Sequence, residues 1–227
     1  MISDEYGHAY INPSRLELRG VKAEVAFDLD GVLCDSGDKL RESVAIQFGY
    51  KYGDDILDYD LNHKTGNRYP VFDFKIPLAT PGEIRDAIDK VIREESYTWV
   101  PNNLVREACA KIHTMMGEPI TIVTARHYKN MEVTYKWLKY WLSWNGQPIP
   151  FRLIMVYGMQ KEVVLKNLEA MYFVDDRYNT IRRLEKCILF PVLYEQPYNQ
   201  RRPGAAGVCT VKNLMEFYDK IKWRYSK

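Results

Sequence analysis

Residues 25–35 read Val-Ala-Phe-Asp-Leu-Asp-Gly-Val-Leu-Cys-Asp, an apolar run that stops on two carboxylates and a glycine. This stretch restricts the fold more than any other in the chain. The apolar residues ask for a buried strand, and carboxylates at its end are costly unless something neutralises them. Strand side chains repeat with a period of two, so Asp28 and Asp30 would share a face if the strand continued. Gly31 instead permits an abrupt turn, letting the chain leave the sheet where the carboxylates cluster. A hard, oxygen-seeking cation such as Mg²⁺ resolves their repulsion. An Asp beside such a cation is also a nucleophile toward phosphorus. The plainer alternative is a strand followed by an acidic Asx-type turn.

Three later segments bear on that choice. Glu118-Pro119-Ile120-Thr121-Ile122-Val123-Thr124-Ala125-Arg126 is a second β-rich run, ending at a hydroxyl residue. Gly158-Met159-Gln160-Lys161 brings a lysine to the start of an amphipathic helix, and Met171-Tyr172-Phe173-Val174-Asp175-Asp176-Arg177 is a third strand ending in carboxylates. Nucleophile strand, Thr strand, Lys and Asp-Asp strand in this order resemble the four motifs of the haloacid dehalogenase-like (HAD) superfamily, over most of residues 22–190.

The intervening pattern agrees with that resemblance. Strands are predicted at Lys22–Phe27, Ile120–Val123, Phe151–Val156, Tyr172–Val174 and Cys187–Leu193. Between them, helical spacing appears over Lys39–Phe48, from Thr80-Pro81-Gly82-Glu83 onward, from Asn102 or Asn103 to Gly117, and over Lys129–Ser143. It recurs over Lys161–Leu168, Asn179–Lys186 and Val211–Tyr225. Thr80, Pro81 and Glu83 form a capping box with proline at the first helical position. Strands alternating with helices predict an α/β fold, a doubly wound parallel sheet with helices on both faces. Ligands of such sheets bind beyond the carboxyl ends of the strands, where all the motif residues fall. About 85 residues separate the first two motifs, more than a simple crossover of a dozen or so needs. HAD-like enzymes often carry a cap there. Residues 36–98 are therefore assigned to a small, mostly helical cap, and residues 1–35 and 99–227 to the catalytic core. Residues 1–20 show no periodicity and are read as an extension packed on the core.

Composition narrows the class. No apolar stretch approaches the roughly 18–20 residues that span a bilayer, and the N-terminus lacks a secretion signal. Four scattered cysteines form no CxxC pair, which suits free thiols in a reducing cytoplasm rather than a zinc site. The formal net charge of +2 gives no bulk attraction for nucleic acid. Trp137, Trp141 and Trp144 crowd one helix, read as a packing face; that helix is also the candidate surface for a homodimer.

The resemblance assigns roles. It implies that Asp28 attacks a phosphate monoester and that Asp30 protonates the leaving oxygen and later activates water. It implies that Thr124 and its neighbour Ala125 hold phosphoryl oxygens, and that Lys161 neutralises the developing charge. Lys166, one turn later, is the alternative lysine. The implied Mg²⁺ ligands are Asp28, the main-chain carbonyl of Asp30, Asp175 and Asp176. Arg126 is open between contacting substrate and making a structural salt bridge. In the cap, Arg68 and Lys64 could hold an anionic group, and Tyr69, Phe72 and Phe74 could stack on a base or simply pack. Phe173–Arg177 and Tyr194-Glu195-Gln196-Pro197-Tyr198-Asn199 resemble the 5′(3′)-deoxyribonucleotidase group, implying a nucleoside monophosphate substrate. Thr124-Ala125-Arg126 departs from that group and is closer to viral polynucleotide 3′-phosphatases. A polynucleotide end is therefore the alternative substrate, against which the lack of a basic stripe argues. A catalytically idle binding protein is a third reading, opposed by the intact set of motif residues.

Overall fold

The computed structural model describes residues 2–11, 20–49, 80–157, 161–196, 199 and 208–225. Along the chain come strands β1 (Ile2–Ser3), β2 (Ala9–Ile11) and β3 (Val25–Phe27), then helices α1 (Gly37–Gln47), α2 (Pro81–Glu95) and α3 (Val105–Met116). Strand β4 (Ile120–Thr124) leads into α4 (Met131–Trp141), a short hairpin of β5 (Ser143–Trp144) and β6 (Gln147–Pro148), and β7 (Phe151–Met155). Helix α5 (Lys161–Asn167), β8 (Tyr172–Asp175), α6 (Tyr178–Leu184), β9 (Phe190–Tyr194), β10 (Cys209–Val211) and α7 (Leu214–Tyr225) complete it.

The main sheet runs β1-β2-β7-β4-β3-β8-β9-β10, parallel throughout except for β1, which pairs antiparallel with β2. Successive residues of one strand serve opposite faces, as the strand period requires. Val25, Phe27, Ile122, Leu153 and Val174 point into a large apolar cluster with α3, α4 and α7, while Ala26, Val123, Ile154 and Phe173 join a smaller one with α5 and α6. The sheet is thus doubly wound, as the alternation of elements predicts. Leu40 and Val44 of α1 and Ala87, Ile88, Val91 and Ile92 of α2 belong to the larger cluster.

The capping box forms as its sequence requires. The Thr80 hydroxyl accepts from Glu83 N–H and the Glu83 carboxylate accepts from Thr80 N–H. Elsewhere local signals are overridden. Asn102 does not cap α3; its side chain donates to the carbonyls of Gly31 and Val32, and the chain enters α3 through Leu104 at φ 63°. The strand expected from Lys22 begins only at Val25, because the Glu24 carbonyl accepts from both Met171 and Tyr172 N–H and bends the chain there. The strand expected at Cys187 starts at Phe190, since Cys187 and Ile188 N–H still bond to Leu184. The terminal helix starts at Leu214, and Cys209–Val211 is instead an edge strand on β9.

Within the extension expected to pack on the core, residues 2–11 form β1 and β2, which extend the sheet beyond β7. Asp4 ties their turn to α4. Its carboxylate accepts from Tyr6 and His8 N–H, from the Tyr135 hydroxyl and from Lys139 Nζ. Partial burial raises its pKa, but the Lys139 and His8 contacts outweigh this and hold it well below the usual carboxylate range. Asp4→Ala should therefore destabilise the protein by about 1–2 kcal/mol at neutral pH. Because the folded-state pKa is depressed, that stability is present above about pH 4 and is lost as pH falls further toward the folded value. Thermal melts of parent and variant should differ at pH 7 and converge progressively below pH 4.

Candidate active site

The sheet register builds the centre of the site. In parallel pairing Phe27 lies beside Val174, so the next residues, Asp28 and Asp175, leave the sheet side by side; Asp28 N–H donates to the Val174 carbonyl at 2.8 Å. Chain connections run from β3 outward through β4 and β7, then return to β8 on the opposite side of β3. The carboxylates thus sit at the topological switch point, where such sheets open a crevice.

Asp28, Asp175 and Asp176 each place a carboxylate oxygen within 4.8 Å of the others, and all three are buried. Lys161, the first residue of α5, reaches between two of them, with Nζ at 2.7 Å from both Asp28 and Asp175. One cation thus serves two carboxylates. Burial above all, with help from Asp175 and Asp30, pushes the Asp28 carboxyl up to about 7 despite Lys161. Such a site suits a hard divalent cation: the donors are all oxygen, and carboxylates clustered in a buried place have a cost that a metal offsets. Asp175 is further fixed by Arg177 N–H at 2.7 Å, and Asp28 by Leu29 N–H at 2.8 Å. Lys166 is exposed, so Lys161 is the lysine that reaches the carboxylates.

Asp30 stands apart from this cluster. Its two oxygens accept from Arg126 Nε at 2.8 Å and Nη2 at 2.7 Å, a buried fork-to-fork pair. Arg126 also donates to the Thr134 hydroxyl and lies 5.5 Å from the Trp99 ring centroid. Burial raises the Asp30 pKa, but the guanidinium more than offsets it and holds the group below the usual carboxylate range. Of the two readings left open for Arg126, the salt bridge is the one this geometry contains.

Thr124 ends β4 with its side chain buried, and its hydroxyl accepts from Arg126 N–H at 3.3 Å. Ala125 beside it is exposed. Arg68, Tyr69, Lys64, Phe72 and Phe74 lie outside the described residues. Cys34, next to the site, is fully buried, and burial pushes its thiol far up, so it is no nucleophile.

Several site neighbours escaped the sequence reading. Asn102 was visible only as a helix cap, and Gln196 and Asn199 only as part of a resemblance. His127 packs its ring between Tyr128 and Tyr157, whose hydroxyl meets Arg85 of α2 at 3.4 Å. An apolar recess of about 700 Å³ between α7 and Tyr172, Phe190 and Cys209 lies at the starts of β8, β9 and β10, the opposite end of the sheet from the carboxylates.

A sheet of this order, with carboxylates at the switch point and helices on both faces, is the haloacid dehalogenase-like fold. The chain is similar to a haloacid dehalogenase-like hydrolase from Streptococcus pneumoniae, with a TM-score of 0.60 at 12% identity over 88% of this chain and 99% of that one. It is also similar to a putative phosphatase from Clostridium difficile, with a TM-score of 0.58 at 16% identity over 88% and 99%. A third structure is CbbY from Rhodobacter sphaeroides in complex with phosphate, with a TM-score of 0.55 at 14% identity over 85% and 95%. No sequence profile of a known family matches the chain, and no curated protein sequence matches it significantly. No described helix is long and apolar enough to cross a membrane.

Proposed function

We propose that this protein is a Mg²⁺-dependent phosphatase that cleaves a phosphate monoester through an aspartyl-phosphate on Asp28. The observation that carries the reading is the buried trio Asp28, Asp175 and Asp176 at the switch point, with Lys161 bridging the first two. Asp28, Asp175, Asp176 and the Asp30 carbonyl would hold the metal, which when bound offsets charge on the carboxylates and the phosphoryl oxygens. Asp28 attacks phosphorus in line, forming an O–P bond as the bond to the leaving oxygen breaks. Lys161 and the Thr124 hydroxyl stabilise the charge spread over the phosphoryl oxygens. Water then attacks phosphorus, its proton passes to Asp30, and the Asp28 carboxylate is restored. The pair with Arg126 keeps Asp30 ionised, the form required for that second half; for the first half the pair must open and Asp30 must take up a proton from solvent, which it then gives to the leaving oxygen.

The substrate we favour is a nucleoside monophosphate bound under a cap formed by residues 36–98, with Arg68 and Tyr69 as specificity residues. The likeness of residues 173–177 and 194–199 to deoxyribonucleotidases supports it. Among structural neighbours, CbbY takes phosphate and, as a mutant, xylulose-1,5-bisphosphate, both small phosphorylated species. The Thr124-Ala125-Arg126 sequence favours one rival, a polynucleotide 3′-phosphatase. Phosphate release with Mg²⁺ should be measured on ribo- and deoxyribonucleoside 5′- and 3′-monophosphates, sugar phosphates and a 3′-phosphorylated oligonucleotide. The expected result is turnover of a mononucleotide that EDTA abolishes and that changes little with salt. Preference for the oligonucleotide with a steep salt dependence selects the rival, and silence on every substrate rejects the phosphatase reading.

A further inference from the structure

We infer that Gln196 and Asn199, which follow β9, are positioning residues that fix the loop after β3 against the loop after β8; this rests on the metal site and reaction proposed above. Asn199 lies outside every helix and strand, yet it is only 2% exposed. Its side-chain amide donates to the main-chain carbonyls of Asp176 and Tyr194, both at 2.8 Å. Its side-chain oxygen accepts from Gln196 N–H at 2.9 Å, and its own N–H returns a bond to the Gln196 carbonyl at 3.0 Å. The side chain is thus saturated, and it joins the end of β9 to the backbone of a carboxylate residue of the site.

Gln196 reaches the other loop. Its Nε2 donates to the Gly31 carbonyl at 2.7 Å, and the same oxygen accepts from Asn102 Nδ2 at 3.2 Å. Gly31 holds φ 77°, a conformation that costs glycine little and other residues more, so its peptide is where the loop after Asp30 turns. β9 pairs with β8 and not with β3. Gln196 therefore spans β8 to hold the loop that carries Asp30, while Asn199 holds the loop that carries Asp176. Both contacts need neutral donors facing carbonyl oxygens. A carboxylate at either position could not donate to them.

The test uses Asn199→Ala and Gln196→Met, which delete the donors, with Asp175→Asn as the control for the metal site. Mg²⁺ binding by calorimetry, steady-state kinetics, melting temperature and amide hydrogen exchange are measured on the full chain. We expect Asn199→Ala to weaken Mg²⁺ about 10- to 100-fold, the range typical of groups that orient metal ligands. We expect Gln196→Met to lower kcat about tenfold at near-constant KM and to weaken Mg²⁺ less than Asn199→Ala does, because the Asp30 carbonyl is the proposed ligand next to the peptide it holds. In both, exchange quickens in residues 28–34 and 175–178. A turn that is merely structural lowers the melting temperature but leaves Mg²⁺ affinity and kcat where they were, and that outcome overturns the inference. If parent and Asp175→Asn bind Mg²⁺ equally, the metal reading fails instead, and exchange alone decides on the turn. If Asn199→Ala does not fold, Gln196→Met decides: unchanged kcat and unchanged exchange in residues 28–34 reject the positioning role.

Discussion

Asp28→Asn will lower phosphate release by at least about 10⁴-fold, as removing the nucleophile of a covalent mechanism does, while the metal-free variant will be at least as stable as the parent. The two halves of this expectation have one cause. The amide oxygen can still accept from Leu29 N–H, and Lys161 keeps its bond to Asp175. What disappears is a buried carboxylate that burial and its neighbours have pushed up to about 7. A group whose folded pKa is raised contributes fully below its unfolded pKa and loses that contribution as pH climbs through the folded value. The metal-free parent should thus weaken from about pH 4 to pH 7 in a way that the variant does not. Melting curves in EDTA at pH 4.5 and pH 8 read this directly: the variant's advantage should be largest at pH 8. Adding Mg²⁺ should stabilise the parent more than the variant. Residual turnover within tenfold of the parent would remove Asp28 from its role.

Arg126→Met will cost about 3–5 kcal/mol of stability at neutral pH, the range for breaking one side of a buried ion pair. Asp30, 7% exposed, would keep its charge without its guanidinium partner, so its carboxyl should rise and take up a proton instead. The sign of the pH dependence then reverses. In the parent, Asp30 is held low, and its contribution is lost as pH falls; in the variant, Asp30 is raised, and stability is lost as pH rises. The destabilisation should therefore shrink from pH 8 toward pH 5. Adding Asp30→Asn to Arg126→Met should recover much of the loss, because two neutral side chains leave no buried charge. Denaturant titration of the four proteins closes the cycle. An additive double variant would show that the pair does not act as a unit.

The strands that carry the site were legible because each ends an apolar run bounded by a charged or hydroxyl residue. Asp28, Thr124 and Asp175 all stand within one residue of the strand end expected for them. The capping box at Thr80 and the glycine stop at Gly117 were equally local, and both form. Local pattern could not reveal what depends on distant partners. β1, β2 and β10 are two or three residues long, and each is a strand only because the sheet offers it a neighbour. Asn102 has the sequence of a cap, but the carbonyls of Gly31 and Val32 claim its amide. Whether Arg126 faces Asp30 depends on the path of the chain across a separation of 96 positions, which no spacing rule covers.

The position of β3 in the sheet sets when the proposed metal site can form. The strand is central, and its two partners, β4 and β8, come about 90 and 145 residues later in the chain. During synthesis, Asp28 emerges early and has no crevice to join until Asp175 and Asp176 have followed it off the ribosome. Contacts so distant in sequence form late in folding. An ion held there would be a ligand of the finished sheet: it would pull the last step to completion by mass action, but it would not seed the first.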